Sequence, residues 1–303
     1  MIIAVTGATG FVGRAFLDQA SAEEVQIRAL TRREQPSRDG TQWVRGTLSD
    51  EAALTELITG SDAVVHIAGL TNAPDPADFE AANVTGTANV IAACKAAKVK
   101  RLIFVSSLAA RQPELSAYGA SKARAEDLVL TSGLEWTTIR PPAVYGPRDD
   151  DMFELFRSAK WGLVPLPPGG ATSIIHVNDL AELLLALIGA QPALVRKKTF
   201  EPDDGREGGW SHKEMARAIG AAVGRPVFAP SLPQSVLEFA AKADRLFRGD
   251  KAKLTADRVS YMCHPNWVSR FDKRPPEAVW MPRIPGEEGF AQTAEWYRSA
   301  GWL

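Results

Sequence analysis

The chain has 303 residues, 45% of them hydrophobic and 23% charged, with a formal net charge of −1. This composition suits a globular protein with ample core material in one large domain or two smaller ones, and it gives no reason to expect nucleic acid or an anionic membrane as the main partner. No run is long and apolar enough to span a bilayer, and the opening MIIAVTG reads as a strand, without the basic start and cleavage site of a signal peptide.

In chain order, IIAVT, IRALT, AVVHIA, RLIFVSS and EWTTIRP read as strands. Between them GFVGRAFLDQAS, DEAALTELI, ANVTGTANVIAACKAAK and SAYGASKARAEDLVL read as helices. The strands are nearly continuously apolar, as strands covered on both faces must be. Alternating βα units of this kind predict an α/β fold with a doubly wound parallel sheet. From about Asp149 the texture changes to loop-rich stretches such as PRDDD, PLPPGG and EPDDGREGG. The expected division is a dinucleotide-binding domain over 1–150 and a smaller C-terminal substrate domain over 151–303, with the segment at about 174–190 returning to pack on the first. Cys94 and Cys263 are the only cysteines. Without a paired motif they predict reduced thiols, a cytoplasmic location and no zinc site.

TGATGFVG follows the first strand directly and spaces Gly7, Gly10 and Gly13 three apart. A tight turn and a close approach of backbone to pyrophosphate both call for glycine, and the helix that follows directs its free amides at phosphate. At the end of the second strand an acid would bind the ribose hydroxyls of NAD, whereas arginine accommodates the 2′-phosphate of NADP. The chain reads ALTRRE, with Thr31 in place of the acid and Arg32 and Arg33 after it. Guanidinium groups suit phosphate through paired, charge-assisted hydrogen bonds, so NADP(H) is favoured. Glu34 leaves NAD(H) as the alternative. In YGASK, Tyr118 and Lys122 lie four apart on one helical face, where the ammonium favours the phenolate and so assists proton transfer.

Seven motifs in order, TGATGFVG, HIAG, NVTGT, FVSSLAA, YGASK, RPPAVYGP and HVNDLA, resemble those of the extended short-chain dehydrogenase/reductase family. The resemblance implies a Rossmann-type domain, a nicotinamide cofactor and a Ser-Tyr-Lys set. It makes Ser107 the hydroxyl on the substrate oxygen, Tyr118 the proton donor or acceptor, Lys122 the partner of ribose hydroxyls and phenolate, and Asn83 the supporting asparagine. Expected cofactor contacts are Gly7, Thr9, Gly10, Phe11, Val12, Gly13, Arg32, Arg33, Thr47, Leu48, Ala68, Gly69, Ser106, Tyr118, Lys122, Pro141, Pro142 and Val144. The sequence departs from family habit in GTL, where Thr47 replaces a frequent acid, and in HVNDLA, where Asn178 does. His176 is expected to anchor the domain junction, and His212 and His264 to be structural.

Many sugar-nucleotide relatives carry an asparagine in an R-x-x-N stretch that contacts the substrate diphosphate; here the stretch is RPPA, with Ala143. They also carry a longer insert between the serine and the tyrosine than the ten residues, 108 to 117, found here. Both features resemble the 3β-hydroxysteroid dehydrogenase and dihydroflavonol reductase-like members. They favour hydride transfer on a small or hydrophobic carbonyl or alcohol over a nucleotide-sugar epimerase or dehydratase, with a catalytically silent NADP-sensing or assembly protein third. Small residues in VIAACKAAK and SKARAEDLVL suggest a homodimer through those helices.

Overall fold

Six short runs and one late strand build a seven-stranded parallel sheet in the computed structural model, which describes residues 1–73, 75–249 and 252–303. The strands are β1 (Ile2–Thr6), β2 (Gln26–Thr31), β3 (Thr41–Arg45), β4 (Ala63–His66), β5 (Arg101–Val105), β6 (Glu135–Ile139) and the edge strand Lys198–Phe200. Their spatial order is edge strand, β6, β5, β4, β1, β2, β3, and every pair is parallel. β4 and β5 are buried along their whole length, which explains their unbroken apolar sequence. Strand order reverses between β1 and β4, and at such a switch point ligands settle beyond the carboxyl ends of the strands. The register sets those ends side by side: Thr6 lies opposite His66, His66 opposite Phe104, Thr31 opposite Arg45 and Val105 opposite Ile139.

Two strands go beyond the five read from the sequence. β3 (TQWVR) lies at the sheet edge with only Val44 buried, and the opposite edge strand has only three residues. The helix read across 82–98 begins as a π-helical turn, Glu80–Thr85, and becomes regular only at Gly86–Ala96. Helix Glu51–Ile58 starts where the Asp50 carboxylate accepts the Ala53 amide, and Ala117–Leu130 where Ser116 accepts that of Gly119.

The chain forms two compact units. The first comprises Met1–Arg140, Leu180–Glu201 and Pro275–Met281; the second comprises Pro141–Asp179, Pro202–Arg274 and Pro282–Leu303. The second unit has short pairings only: Ala143–Tyr145 with Ile174–His176, and Ala171–Thr172 between Trp210–Ser211 and Asn266–Trp267. Its core is aromatic. Tyr145, Phe156, Trp210, Phe290 and Tyr297 are almost fully buried, and their rings meet at centroid distances of 4.7 to 6.1 Å. Helix His212–Val223 is delimited at both ends, by a Ser211–Glu214 capping box and by Gly224 in the left-handed conformation. Among the described residues no helix is long and apolar enough to cross a membrane.

Candidate active site

The glycine turn closes at the carboxyl end of β1, with the Gly10 amide donating to the Gly7 carbonyl at 3.0 Å. Gly7 has φ +75°, and a Cβ there would stand 2.5 Å from the Ala68 nitrogen; one on Gly13 would stand 2.1 Å from the Gly7 oxygen. Only glycine permits this packing of turn, helix and β4 loop. Helix Phe11–Ala22 starts with no side-chain cap, so its first amides are not taken up by a capping side chain. The turn thus brings Gly7, Thr9, Gly10, Phe11, Val12 and Gly13 together, and places Ala68 against Gly7.

The end of β2 lies beside the end of β3. The Thr31 hydroxyl is turned inward to the Arg33 carbonyl at 2.6 Å, which shapes the loop, while Arg32 and Arg33 are exposed. Arg45 lies opposite Thr31 and adds an exposed cation that the sequence reading did not single out. Thr47 is exposed and bonded to Ser49, whereas the Leu48 carbonyl accepts the Asn89 side-chain amide at 2.8 Å.

Asn83 is the centre of a buried knot. Its Oδ1 accepts the Leu70 amide at 2.8 Å, and its Nδ2 donates to the Leu70 carbonyl at 3.1 Å and to Ser121 Oγ at 2.9 Å. Ser121 is the serine of YGASK, so the helix carrying Tyr118 and Lys122 is tied directly to the Asn83 turn. A Cβ on Gly69 would stand 2.9 Å from Asn83 Oδ1 and 3.5 Å from Lys122 Nζ, which puts Gly69, Asn83 and Lys122 in one place. Lys122 is buried; its Nζ donates to the Val105 carbonyl at 2.8 Å and lies 5.0 Å from the Phe104 ring centre. Burial pushes its pKa down to about 8, with Glu126 opposing the shift. Tyr118 is buried, and its ring centre is 5.9 Å from that of Phe79.

The two serines differ. Ser107 Oγ accepts the Ala109 amide at 3.1 Å and caps the short turn Leu108–Arg111, which leaves its own proton for another acceptor. Ser106 Oγ is buried and has no hydrogen-bond partner among the described residues. A buried hydroxyl of that kind is open to a ligand group or a water. Pro141, Pro142 and Val144 begin the second unit, where Val144 pairs with Ile175.

The sequence reading missed the supports beneath this site. His66, the histidine of HIAG, is fully buried; its Nδ1 is 2.6 Å from Thr6 Oγ1 and its Nε2 is 3.0 Å from Thr87 Oγ1. Thr87 donates to the Asn83 carbonyl at 2.6 Å, so it accepts from a neutral imidazole protonated on Nε2. Burial, and secondarily the Lys122 charge, lower the His66 pKa to about 3. A second support is ionic. Arg140 grips Glu126 through two nitrogens, and the fully buried Glu201 carboxylate receives Arg111 at 3.1 Å and Arg140 at 3.6 Å. Neither set could be read from sequence, because the partners are up to 90 residues apart. His176 belongs to the second unit, edge-on to Tyr145 at 5.3 Å, and burial lowers its pKa to about 4. Among the described residues no group of three or more His, Cys, Asp or Glu is placed to hold a metal.

The group that the glycine turn implies is a dinucleotide, and the residues fit one. The turn admits no Cβ, an uncapped helix begins on it, the β2 and β3 ends are cationic, and the Ser106 hydroxyl is unpaired.

Comparison with known proteins agrees. Residues 3–201 match the NAD dependent epimerase/dehydratase family. The chain is 32% identical to a ceramide reductase of Caulobacter vibrioides, over 100% of this chain and 96% of that protein. It is 29% identical to a 2-alkyl-3-oxoalkanoate reductase of Stenotrophomonas maltophilia, over 95% and 97%. The solved structure of MoeE5 in complex with UDP-glucose and NAD shares the fold, with a TM-score of 0.76, 22% identity and 99% of each chain covered.

Proposed function

The chain belongs to the NAD dependent epimerase/dehydratase family of extended short-chain dehydrogenases/reductases, and from that premise we propose that it reduces the carbonyl, or oxidises the alcohol, of a hydrophobic, lipid-like substrate. The observation that carries this reading is the full-length similarity to a ceramide reductase. Ala143 in RPPA supports it, since a buried diphosphate there would lack an asparagine donor, and so does the short stretch between Ser107 and Tyr118.

A bound nicotinamide dinucleotide supplies or accepts the hydride. The chain's own residues do the rest. Ser107, whose oxygen already accepts an amide, donates its proton to the substrate oxygen and holds it in place. Tyr118 passes its phenolic proton to that oxygen as negative charge develops, or removes one in the reverse direction. Lys122 is cationic at neutral pH, with a pKa of about 8, and favours the phenolate that remains. Asn83 fixes the distance between the Tyr118 helix and the Gly69–Leu70 loop. Ser106 offers its unpaired hydroxyl to the cofactor, and Arg32 and Arg33 select the 2′-phosphate of NADP(H). A homodimer through helices Gly86–Ala96 and Ala117–Leu130 belongs to the same proposal, and a monomer in sedimentation at micromolar concentration would remove it.

The test is turnover of NADPH with a panel of long-chain ketones and keto-acyl compounds, in wild type and Tyr118→Phe. The variant keeps the ring and loses the proton, so kcat is expected to fall about a hundredfold or more with cofactor affinity little changed. Wild-type rates in the variant would remove Tyr118 from the reaction. Turnover of nucleotide sugars and of no ketone would favour the epimerase reading, for which the family itself is the argument.

A further inference from the structure

Every strongly exposed aromatic side chain described lies in the second unit: Trp161, Phe228, Phe239, Phe247 and Phe271. Two of them, Phe239 and Phe247, lie on helix Gln234–Arg248. Its inner face is settled, because Leu237 and Ala241 are buried against Val259, with Leu232, Leu254 and Cys263 packed around them. Its outer face carries Val236, Phe239, Leu246 and Phe247, at steps of three, seven and one residues. The last three are 74%, 83% and 85% exposed. Large apolar side chains grouped on one helical face mark an interaction surface.

Charge identifies the partner. Lys242, Arg245 and Arg248 are exposed on this helix. Of its two acids, Asp244 is committed to the Lys253 and Leu254 amides and to Arg248, and Glu238 to Gln234. The helix therefore carries a net charge of +1 (Lys242, Arg245 and Arg248 against Glu238 and Asp244) in a chain whose total is −1. The apolar surface continues upstream. Residues 228–232 run beside 163–166, leaving Leu163 and Phe228 exposed, and Arg225 holds the Lys160 carbonyl next to the exposed Trp161. Phe and Leu on the outward face, Lys242 beside them and Arg245 and Arg248 on the rest of the helix is the amphipathic pattern of a helix that lies in a membrane interface, and at 15 residues this one is too short to span.

We propose that helix Gln234–Arg248, with Trp161 and Phe228, docks the enzyme on an anionic lipid surface. The overall charge gave no hint of this, because the basic residues act locally. The purpose of the contact rests on the proposed lipid-like substrate, which an enzyme on the bilayer surface could collect without its passing through water; the contact itself does not depend on turnover.

The test uses the full chain and two kinds of vesicle, phosphatidylethanolamine with phosphatidylglycerol, and phosphatidylcholine alone, in a flotation assay without substrate. Wild type is expected to float with the anionic vesicles and to be released by salt. Phe239→Ser with Phe247→Ser, both on the solvent side, should weaken binding by about tenfold or more with Tm unchanged. Lys242→Glu with Arg245→Glu should weaken it on anionic vesicles. Both variants should still reduce a water-soluble ketone at the wild-type rate. Wild type that floats with neither vesicle overturns the proposal. So does a lipid-free dimer that the Phe239→Ser, Phe247→Ser variant converts to monomer, since the face would then be a subunit contact. Flotation without turnover of any carbonyl compound upholds the docking and overturns the substrate reading.

Discussion

The two units are stabilised in different ways. The first buries polar groups and satisfies them in chains: Thr6 to His66 to Thr87 to Asn83, and Arg111 to Glu201 to Arg140 to Glu126. The second holds one such set, Ser173 and Arg274 on the buried Asp203, but its core is mainly rings, with Phe290 touching Tyr145, Phe156 and Trp210. A buried polar network tolerates little movement, because each unpaired member costs the desolvation of a polar group. An aromatic cluster is less directional and leaves its surroundings freer to vary. Chemistry that needs fixed distances belongs with the first kind of packing, and recognition of an apolar partner belongs with the second.

The largest expected effect tests that contrast on the aromatic side. Phe290→Ala removes a fully buried ring from the second unit, and a loss of about 3–5 kcal/mol is expected. Glu201→Ala leaves Arg111 without its carboxylate in the first unit, and about 3 kcal/mol is expected, since removing one partner strands a buried charge. Denaturant unfolding followed by tryptophan fluorescence checks both. If the two packings are independent, Phe290→Ala should leave NADPH affinity near wild type while Glu201→Ala lowers it. Equal effects on the cofactor would erase the distinction.

A smaller effect concerns the histidine chain. His66→Leu keeps the volume roughly and removes one hydrogen bond from each of the Thr6 and Thr87 hydroxyls, which keep only their bonds to the Ala68 amide and the Asn83 carbonyl, at an expected cost of about 1–3 kcal/mol at neutral pH. The folded pKa of His66, about 3, is below its usual value near 6.5, so the unfolded chain binds more protons between those values. Its contribution is complete above about pH 6.5 and is lost as pH falls toward 3. The stability gap between wild type and variant should therefore be widest at neutral pH and narrow on acidification. A gap that is flat from pH 7 to about 4 would mean that the imidazole is not held neutral by its burial.

The difference between the units also explains what could be read from the sequence. β1, β2, β4, β5 and β6 were legible because buried parallel strands are continuous apolar runs, and the glycine turn because its spacing is local. YGASK could be read at helical spacing, but the link from its Ser121 to Asn83 crosses 38 residues and leaves no local pattern. β3 was hidden by its edge position, and the π-helical turn by having the same composition as a regular helix. In the second unit almost nothing was legible in detail. Its strands have two or three residues, and its core joins Tyr145 to Phe290 across most of the remaining chain. The exposed apolar face of Gln234–Arg248 was visible in principle as an amphipathic period, but which face packs inward depends on Val259 and Leu254, which only the fold brings to it.

The smallest effect concerns binding alone, and it asks whether cofactor choice is a property of the first unit by itself. Arg32 and Arg33 are exposed after β2, and the inward Thr31 hydroxyl holds the backbone between them. If they grip the 2′-phosphate, Arg32→Ala with Arg33→Ala should weaken NADPH and leave NADH nearly untouched. Charge-assisted hydrogen bonds contribute about 1.5–3 kcal/mol each, so the loss should be about tenfold or more at roughly 1.4 kcal/mol per decade. High salt should imitate part of it, because exposed charges are screened. Arg45, opposite Thr31, sets a bound on the result: if it shares the phosphate, the double variant keeps a residual preference that adding Arg45→Ala removes. Calorimetric titration of both cofactors into wild type and variants is the direct measurement. Equal losses for NADPH and NADH would mean that the arginines support the loop and do not read the phosphate. Tighter NADH binding in the wild type would reverse the preference and turn attention to Glu34, the exposed acid that follows them.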